Sequence, residues 1–171
     1  HDKRMEYGEL FFAKKQRRGF NSYEAKKTMK DRNYFGCMMV ETGEADAMIS
    51  GLSKNYPDTI RPALQVIGME NNSKRVAGMY IMMTKKGPLF LADTTVNFNP
   101  TAEELADIAM MVAREVRNFG ITPIVAMLSY SNFGSSNSPE AKLVARAREI
   151  VKHKEPSLII DGEMQANVAF N

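Results

Sequence analysis

Cysteine, histidine and long apolar runs are all scarce in this sequence, and each shortage removes a class of function. The only cysteine, Cys37, sits in the apolar stretch YFGCMMV, so no disulfide framework can be built. The two histidines are His1 and His153, the latter near the basic end of a surface helix, and no triad or metal cluster can be assembled from them. No apolar run approaches the ~18–20 residues needed to span a bilayer, and the opening residues do not read as a signal peptide. Missing too are the dinucleotide GxGxxG, the phosphate-loop GxxxxGK, HExxH and paired cysteines. A cytoplasmic enzyme or enzyme part, with no membrane partner, is the expectation.

What is present is an ordinary globular composition. The chain has 171 residues, 44% hydrophobic and 25% charged, enough for one domain or two small ones with a true core. The net charge of +3 is unevenly spread. Residues 1–32 hold ten Lys or Arg against five Asp or Glu, and the remainder thirteen against fifteen. The excess centres on KKQRR at 14–18, where Lys15 and Arg18 are candidates for the phosphates of a cofactor; a solvated helix face is the other reading. No basic-aromatic motif accompanies the charge, which argues against nucleic acid.

Periodicity divides the chain into elements. Helices are expected over 4–18, stopped by Gly19, over 22–31, capped by Asn21, and over 32–42, with Met38 and Met39 in a core. ADAMI (45–49) reads as a short buried strand, and Asp58 as the cap of a helix with Ile60, Leu64 and Ile67 on one face. Polar ENNSKR (70–75) is the candidate boundary. VAGMYIMM (76–83) reads as a strand covered on both faces, turned by TKKGP into LFLA (89–92). A helix over 101–119 opens with a Thr101–Glu104 capping box. IVAML (124–128), a helix opened by Ser138-Pro139 and LII (158–160) then form a βαβ unit, which requires parallel strands. Together with the hairpin they predict an α/β fold with a mixed sheet.

The candidate ligand residues follow from that order. Ser50-Gly51, Asp93-Thr94-Thr95, Ser129-Tyr130-Ser131 and Asp161-Gly162 all follow expected strands, and open α/β sheets bind ligands beyond the carboxyl ends of their strands. Asp161 has a second reading as a helix cap before EMQANVA. Arg61, in the first turns of its helix, can fork onto a phosphate or carboxylate, or pair with Asp58 three residues back.

These same residues resemble a known family. SGLSKNYPDTIRPALQVIG (50–68), ADTTVNFNPTAEELADIA (92–109), VAMLSYS (125–131) and DGEMQ (161–165) resemble, in order, the blocks of phosphotransacetylases (phosphate acetyl or butyryl transferases). The resemblance implies a two-lobed, Rossmann-like α/β/α fold of the isocitrate/isopropylmalate dehydrogenase kind. It assigns 1–70 to part of a first lobe and 71–171 to part of a second, with the C-terminal part missing. It also implies a cleft lined by Ser50, Arg61, Ser129, Ser131, Asp161 and Gln165, with Arg61 on CoA and acyl phosphate, and a dimer made by the second lobe.

Departures from the family pattern refine the expectation. Transacetylases usually carry a His-Ser/Thr pair where this chain has LSKNYP, and a Thr-Gly-rich loop where it has NFGSSNSP. A family arginine falls near Lys15, and the family's later Ser-Arg pair and thiol-activating Asp lie in a segment this chain lacks. NYPDTIRP, SNFGS and DGEMQA instead resemble the domain that follows the catalytic half of bacterial NADP-dependent malic enzymes, where it is thought to sense acetyl-CoA. A regulatory acyl-CoA-binding domain is therefore expected, without catalytic residues of its own; its NADP and divalent metal would be bound by N-terminal malic-enzyme domains. An active transferase moving acetyl between CoA and phosphate is the alternative, and a dimerising scaffold that has lost its ligand a third.

Overall fold

In a computed structural model, which describes residues 2–69 and 75–170, the chain forms two compact units, His1–Ser73 and Lys74–Asn171. Of the polar stretch 70–75, all but Arg75 lies outside the described residues. No helix among the described residues is long and apolar enough to cross a membrane.

The first unit is helical: α1 (Asp2–Lys15), a 3-10 turn (Gln16–Arg18), α2 (Ser22–Thr28), α3 (Arg32–Glu41) and α4 (Tyr56–Val66). Local chemistry explains most of the boundaries. The helix expected over 4–18 passes into the 3-10 turn after Lys15, and Gly19, at φ +89°, ends that turn in a left-handed conformation that costs glycine little. Asn21 and Glu24 form a reciprocal capping box, and Asp31 caps α3 by accepting from the N–H groups of Asn33 and Tyr34. Tyr7, Phe11, Ala25, Met29, Cys37, Met38 and Val66 make the core, with Met39 packed at its edge. Phe11 anchors it, edge-on to Phe20 at 5.2 Å and to Tyr34 at 5.8 Å.

Two expectations for this unit fail. Residues 45–49 form no strand, and Ile49 is fully exposed. A strand exists only through its ladder partner, and this unit has no strand among its described residues. The fourth helix begins earlier than Asp58, because Pro57 suits a first turn and Asn55 becomes the flanking residue. It buries Pro62 and Val66, while Leu64 and Ile67 stay exposed.

The second unit contains β1 (Met79–Thr84), β2 (Gly87–Ala92), α5 (Ala102–Asn118), β3 (Ile124–Leu128), α6 (Pro139–Lys154), β4 (Ile159–Met164) and α7 (Ala166–Ala169). β1 and β2 form the expected hairpin, and β3 and β4 pair in parallel, as the βαβ reading requires. The capping box of Thr101 and Glu104 opens α5, and the Ser138 hydroxyl caps α6. The core joins Ala102, Ala106, Ala109 and Ala113 of α5 to Ala147 and Val151 of α6 and to Met127, Leu158 and Ile160.

The single mixed sheet is not formed: hairpin and parallel pair are separate two-stranded sheets. Nor is β1 covered on both faces, since Tyr80, Ile81, Met82 and Met83 are exposed. An apolar run signals a strand, but burial needs a covering layer, and the described residues of this unit supply none over β1. The parallel ladder carries one irregularity. Met127 pairs with Gly162 and Leu128 with Met164, so Glu163 is an extra residue, a bulge. Gly162 sits at φ +128°, and a Cβ there would lie 2.5 Å from the Met127 carbonyl oxygen. Gly162→Ala is therefore expected to destabilise this unit by at least ~1–3 kcal/mol, the cost of a strained backbone, read as a lower urea midpoint.

Candidate functional site

In the first unit, Arg61 and Ser50 line adjoining concavities. One, of about 410 Å³, is walled by Asp31, Tyr34, Ser53, Lys54, Asn55, Asp58, Arg61 and Pro62. The other, of about 390 Å³, includes Arg32, Asn33, Met48, Ser50 and Gly51, and shares Ser53 and Lys54 with the first. Arg61 is exposed in the second turn of α4, its Nη1 3.8 Å from Asp58 Oδ1, a loose pair that leaves the guanidinium available. Ser50 Oγ donates to Asn33 Oδ1 at 2.7 Å, while the buried Asn33 donates from Nδ2 to the Asp58 carbonyl at 3.3 Å. Asn33 thus ties the 50–55 segment to the start of α4.

The Lys54 ammonium bonds directly to the Asp31 carboxylate. Burial pushes the Asp31 carboxyl up, but Lys54 and the N–H groups of Asn33 and Tyr34 outweigh it and hold it below its usual value. The cations of the N-terminal helix lie elsewhere and line neither concavity. Arg18 is exposed, whereas Lys15 is 8% exposed, and burial plus repulsion from Arg18 and Lys14 lowers its pKa.

In the second unit, the loop after β3 and the end of β4 are tightly joined. Ser129 N–H donates to the Met164 carbonyl at 2.9 Å, and Gln165 Nε2 to the Tyr130 carbonyl at 2.7 Å. Gln165 N–H also donates to Asn132 Oδ1 at 2.8 Å. Ser131 is 1% exposed and its hydroxyl is engaged by Glu163, Ser135 and Ser136. All of these partners lie within the loop after β3 and the end of β4. Asp161 lies inside β4, paired with Ala126, so it neither follows the strand nor caps a helix; Gln165 flanks α7 instead. The largely exposed Asp161 carboxylate lies 3.6 Å from Arg148 Nη1 and 4.0 Å from Lys152 Nζ.

A family model described as phosphate acetyl/butaryl transferase matches residues 1–171. The chain belongs to that family. The phosphate acetyltransferase of Bacillus subtilis strain 168 is 42% identical over 147 residues, covering 86% of this chain and 46% of that protein. The NADP-dependent malic enzyme of Escherichia coli K12 is 40% identical over 166 residues, 96% of this chain but 22% of the malic enzyme. A phosphotransacetylase from Streptococcus pyogenes superposes with a TM-score of 0.83 at 35% identity, over 96% of this chain and 52% of that one. The chain thus spans about half or less of the length of the relatives it matches.

Within this member of the phosphate acetyl/butaryl transferase family, sequence reasoning singled out Arg61 and Ser50 but missed Lys54, Asp31, Asn33 and Glu163. Lys54 was visible only as one residue of LSKNYP, the segment that departs from the family's pattern. Its partner Asp31 is 23 residues away, beyond any local spacing rule. Glu163 carried a signal that strand alternation hid, because only the bulge turns it inward.

A depressed carboxyl pKa stabilises the fold above the unfolded-state value and loses that contribution as pH falls through the folded value. Lys54→Ala is expected to lower the urea midpoint at pH 7, and the gap from wild type should narrow as pH drops below about 4. A gap that stays constant down to pH ~3 would show that Lys54 acts through something other than Asp31.

Proposed function

We propose that this chain is an acyl-CoA-binding, regulatory domain of a malic enzyme whose reaction is the NADP-dependent oxidative decarboxylation of malate to pyruvate. Acetyl-CoA is its ligand, and the NADP and divalent metal of that reaction belong to other domains. The observation that carries this reading is the Arg61 concavity. An exposed guanidinium, loosely held by Asp58, lines a pocket with Tyr34, Ser53, Asn55 and the mutually paired Lys54 and Asp31, which leaves Arg61 as the group suited to an anionic part of the ligand. The same pocket argues for binding over transfer. Where transacetylases usually carry a His-Ser/Thr pair, this chain has the segment LSKNYP, and the charge of its Lys54 is already taken by Asp31.

Regulation of this kind requires the ligand to bind two states of the whole enzyme with different affinity. An active phosphate acetyltransferase is the second reading, favoured by the 42% identity to the Bacillus subtilis enzyme. In that case the acetyl group would pass from the CoA sulfur to a phosphate oxygen, with the rest of the protein completing the site.

Calorimetry on the full-length protein decides between them, together with malate turnover measured with and without acetyl-CoA. Arg61→Ala is expected to weaken acetyl-CoA binding by roughly 1.5–3 kcal/mol, the range for a lost hydrogen bond to a charged group. Arg61→Lys should recover part of it, keeping the charge but not the fork. Unchanged affinity would remove Arg61 from the site. Robust acetyl phosphate formation, abolished by Arg61→Ala, would establish the second reading.

A homodimer through the second unit belongs to the same proposal, supported by the apolar strand β1, whose Met83 is 77% exposed. Light scattering should show a dimer at tens of micromolar, an order-of-magnitude concentration for specific association. A monomer there would remove the dimer from the proposal.

A further inference from the structure

The sequence of α4 denies the Asp58 carbonyl its usual helical partner. In an α-helix that oxygen accepts from the N–H four residues on, and the residue there is Pro62, which has none. Asn33, in the first turn of α3, supplies a donor instead. Its side chain is buried, the residue being 6% exposed, and its Nδ2 donates to the Asp58 carbonyl at 3.3 Å. The other end of the same amide, Oδ1, accepts from Ser50 Oγ at 2.7 Å, and the Asn33 N–H donates to Asp31 Oδ1 at 2.7 Å. One turn further along α4, Tyr34 Oη donates to Gln65 Oε1 at 2.5 Å.

These bonds meet behind the Arg61 concavity. Its wall is built from three pieces of chain: the start of α3, the 53–55 segment and the first half of α4. Asn33 does not line that concavity, yet its amide ties the first piece to the other two. The residue before a proline is disfavoured in helical backbone, and here that residue is Arg61 itself. The turn that carries the guanidinium thus lacks one helical bond and bears a steric penalty, and the Asn33 amide restrains it. Apparent affinity is the intrinsic one reduced by the fraction of time a site holds its binding shape, so such a restraint acts on binding without contact.

We propose that Asn33 is a positioning residue for Arg61: it gives the Asp58 carbonyl the donor that Pro62 withholds, ties that turn to Ser50, and so keeps the guanidinium at the pocket without touching the ligand. This rests on the acyl-CoA reading above. Three substitutions in the full-length protein separate the role from a general loss of stability. Asn33→Leu removes both side-chain bonds at similar volume. Pro62→Ala returns an N–H to position 62. Ala25→Gly weakens the core of the same unit at a residue that lines neither concavity.

Acetyl-CoA affinity, measured by calorimetry, should fall about two- to tenfold in Asn33→Leu, the factor for a lost hydrogen bond. In Pro62→Ala the helix supplies its own donor, so adding Asn33→Leu should then cost about twofold or less. Ala25→Gly should lower the urea midpoint and leave affinity as in wild type. If Asn33→Leu does not fold, Asn33→Ser takes its place. Wild-type affinity in the Asn33 variant overturns the proposal. So does an equal fall in Ala25→Gly, or a loss that multiplies undiminished in the Pro62→Ala background. An unchanged Asn33 variant beside a weakened Arg61→Ala overturns this role but spares the acyl-CoA reading. No acetyl-CoA binding by wild type, or binding that Arg61→Ala leaves intact, sinks that reading and this role together.

Discussion

Parallel pairing of β3 with β4 is the constraint from which the rest of the second unit follows. Two parallel strands cannot be joined by a tight turn, so the chain between them must cross over, and α6 is that crossover. The crossing sets Ala147 and Val151 of α6 against Met127 and Ile160, and the alanine face of α5 completes the core. The ladder does not run evenly to its end. Gly162 passes close beneath the Met127 carbonyl, the pairing slips, and Glu163 turns into the interior. A carboxylate in that position needs donors, and the loop after β3 supplies them through Gly134 and Ser131. Backbone pairing and loop shape are therefore coupled through one side chain.

The first unit is organised differently. Its core is an aromatic and methionine cluster around Phe11, assembled from α1, α2, α3 and α4 without any sheet among the described residues. The 50–55 segment between α3 and α4 is held by polar contacts instead: Ser50 to Asn33, Asn33 to the Asp58 carbonyl, Lys54 to Asp31. Those contacts shape the concavity into which Arg61 projects. A surface pair such as Lys54–Asp31 adds little stability, but it decides the charge the pocket presents. Holding an anion and transferring an acyl group ask different things of such a pocket. Family membership is shared by acetyltransferases and malic enzymes alike, so the site residues must carry that distinction.

Much of the secondary structure was legible because its causes are local. The Asn21 and Thr101 caps, the Gly19 stop and the hairpin turn at Gly87 each rest on residues a few positions apart. The motif around Arg61 was legible for the same reason, and its loose pairing with Asp58 had been one of the two readings. Strand ADAMI failed because a short apolar run says nothing about whether a neighbouring strand exists. The mixed sheet failed for a related reason: a hairpin and a parallel pair can each be read from sequence, but not whether they join. Asp161 and Ser131 were assigned to a ligand by their place after a strand. In three dimensions Asp161 lies within β4 and not after it, with its carboxylate exposed, and the Ser131 hydroxyl is bonded to Glu163.

The amino-acid sequence by itself determined the helices, their caps, the βαβ order and the family, since these depend on spacing along the chain and on residue type. Only the tertiary structure decided that Lys54 meets Asp31, that Asn33 bridges Ser50 and α4, and that a bulge buries Glu163 beneath the loop after β3. Each of those contacts joins residues 17 to 32 positions apart. Periodicity cannot encode such partners, because they are chosen by strand register and by which faces the packed helices leave free.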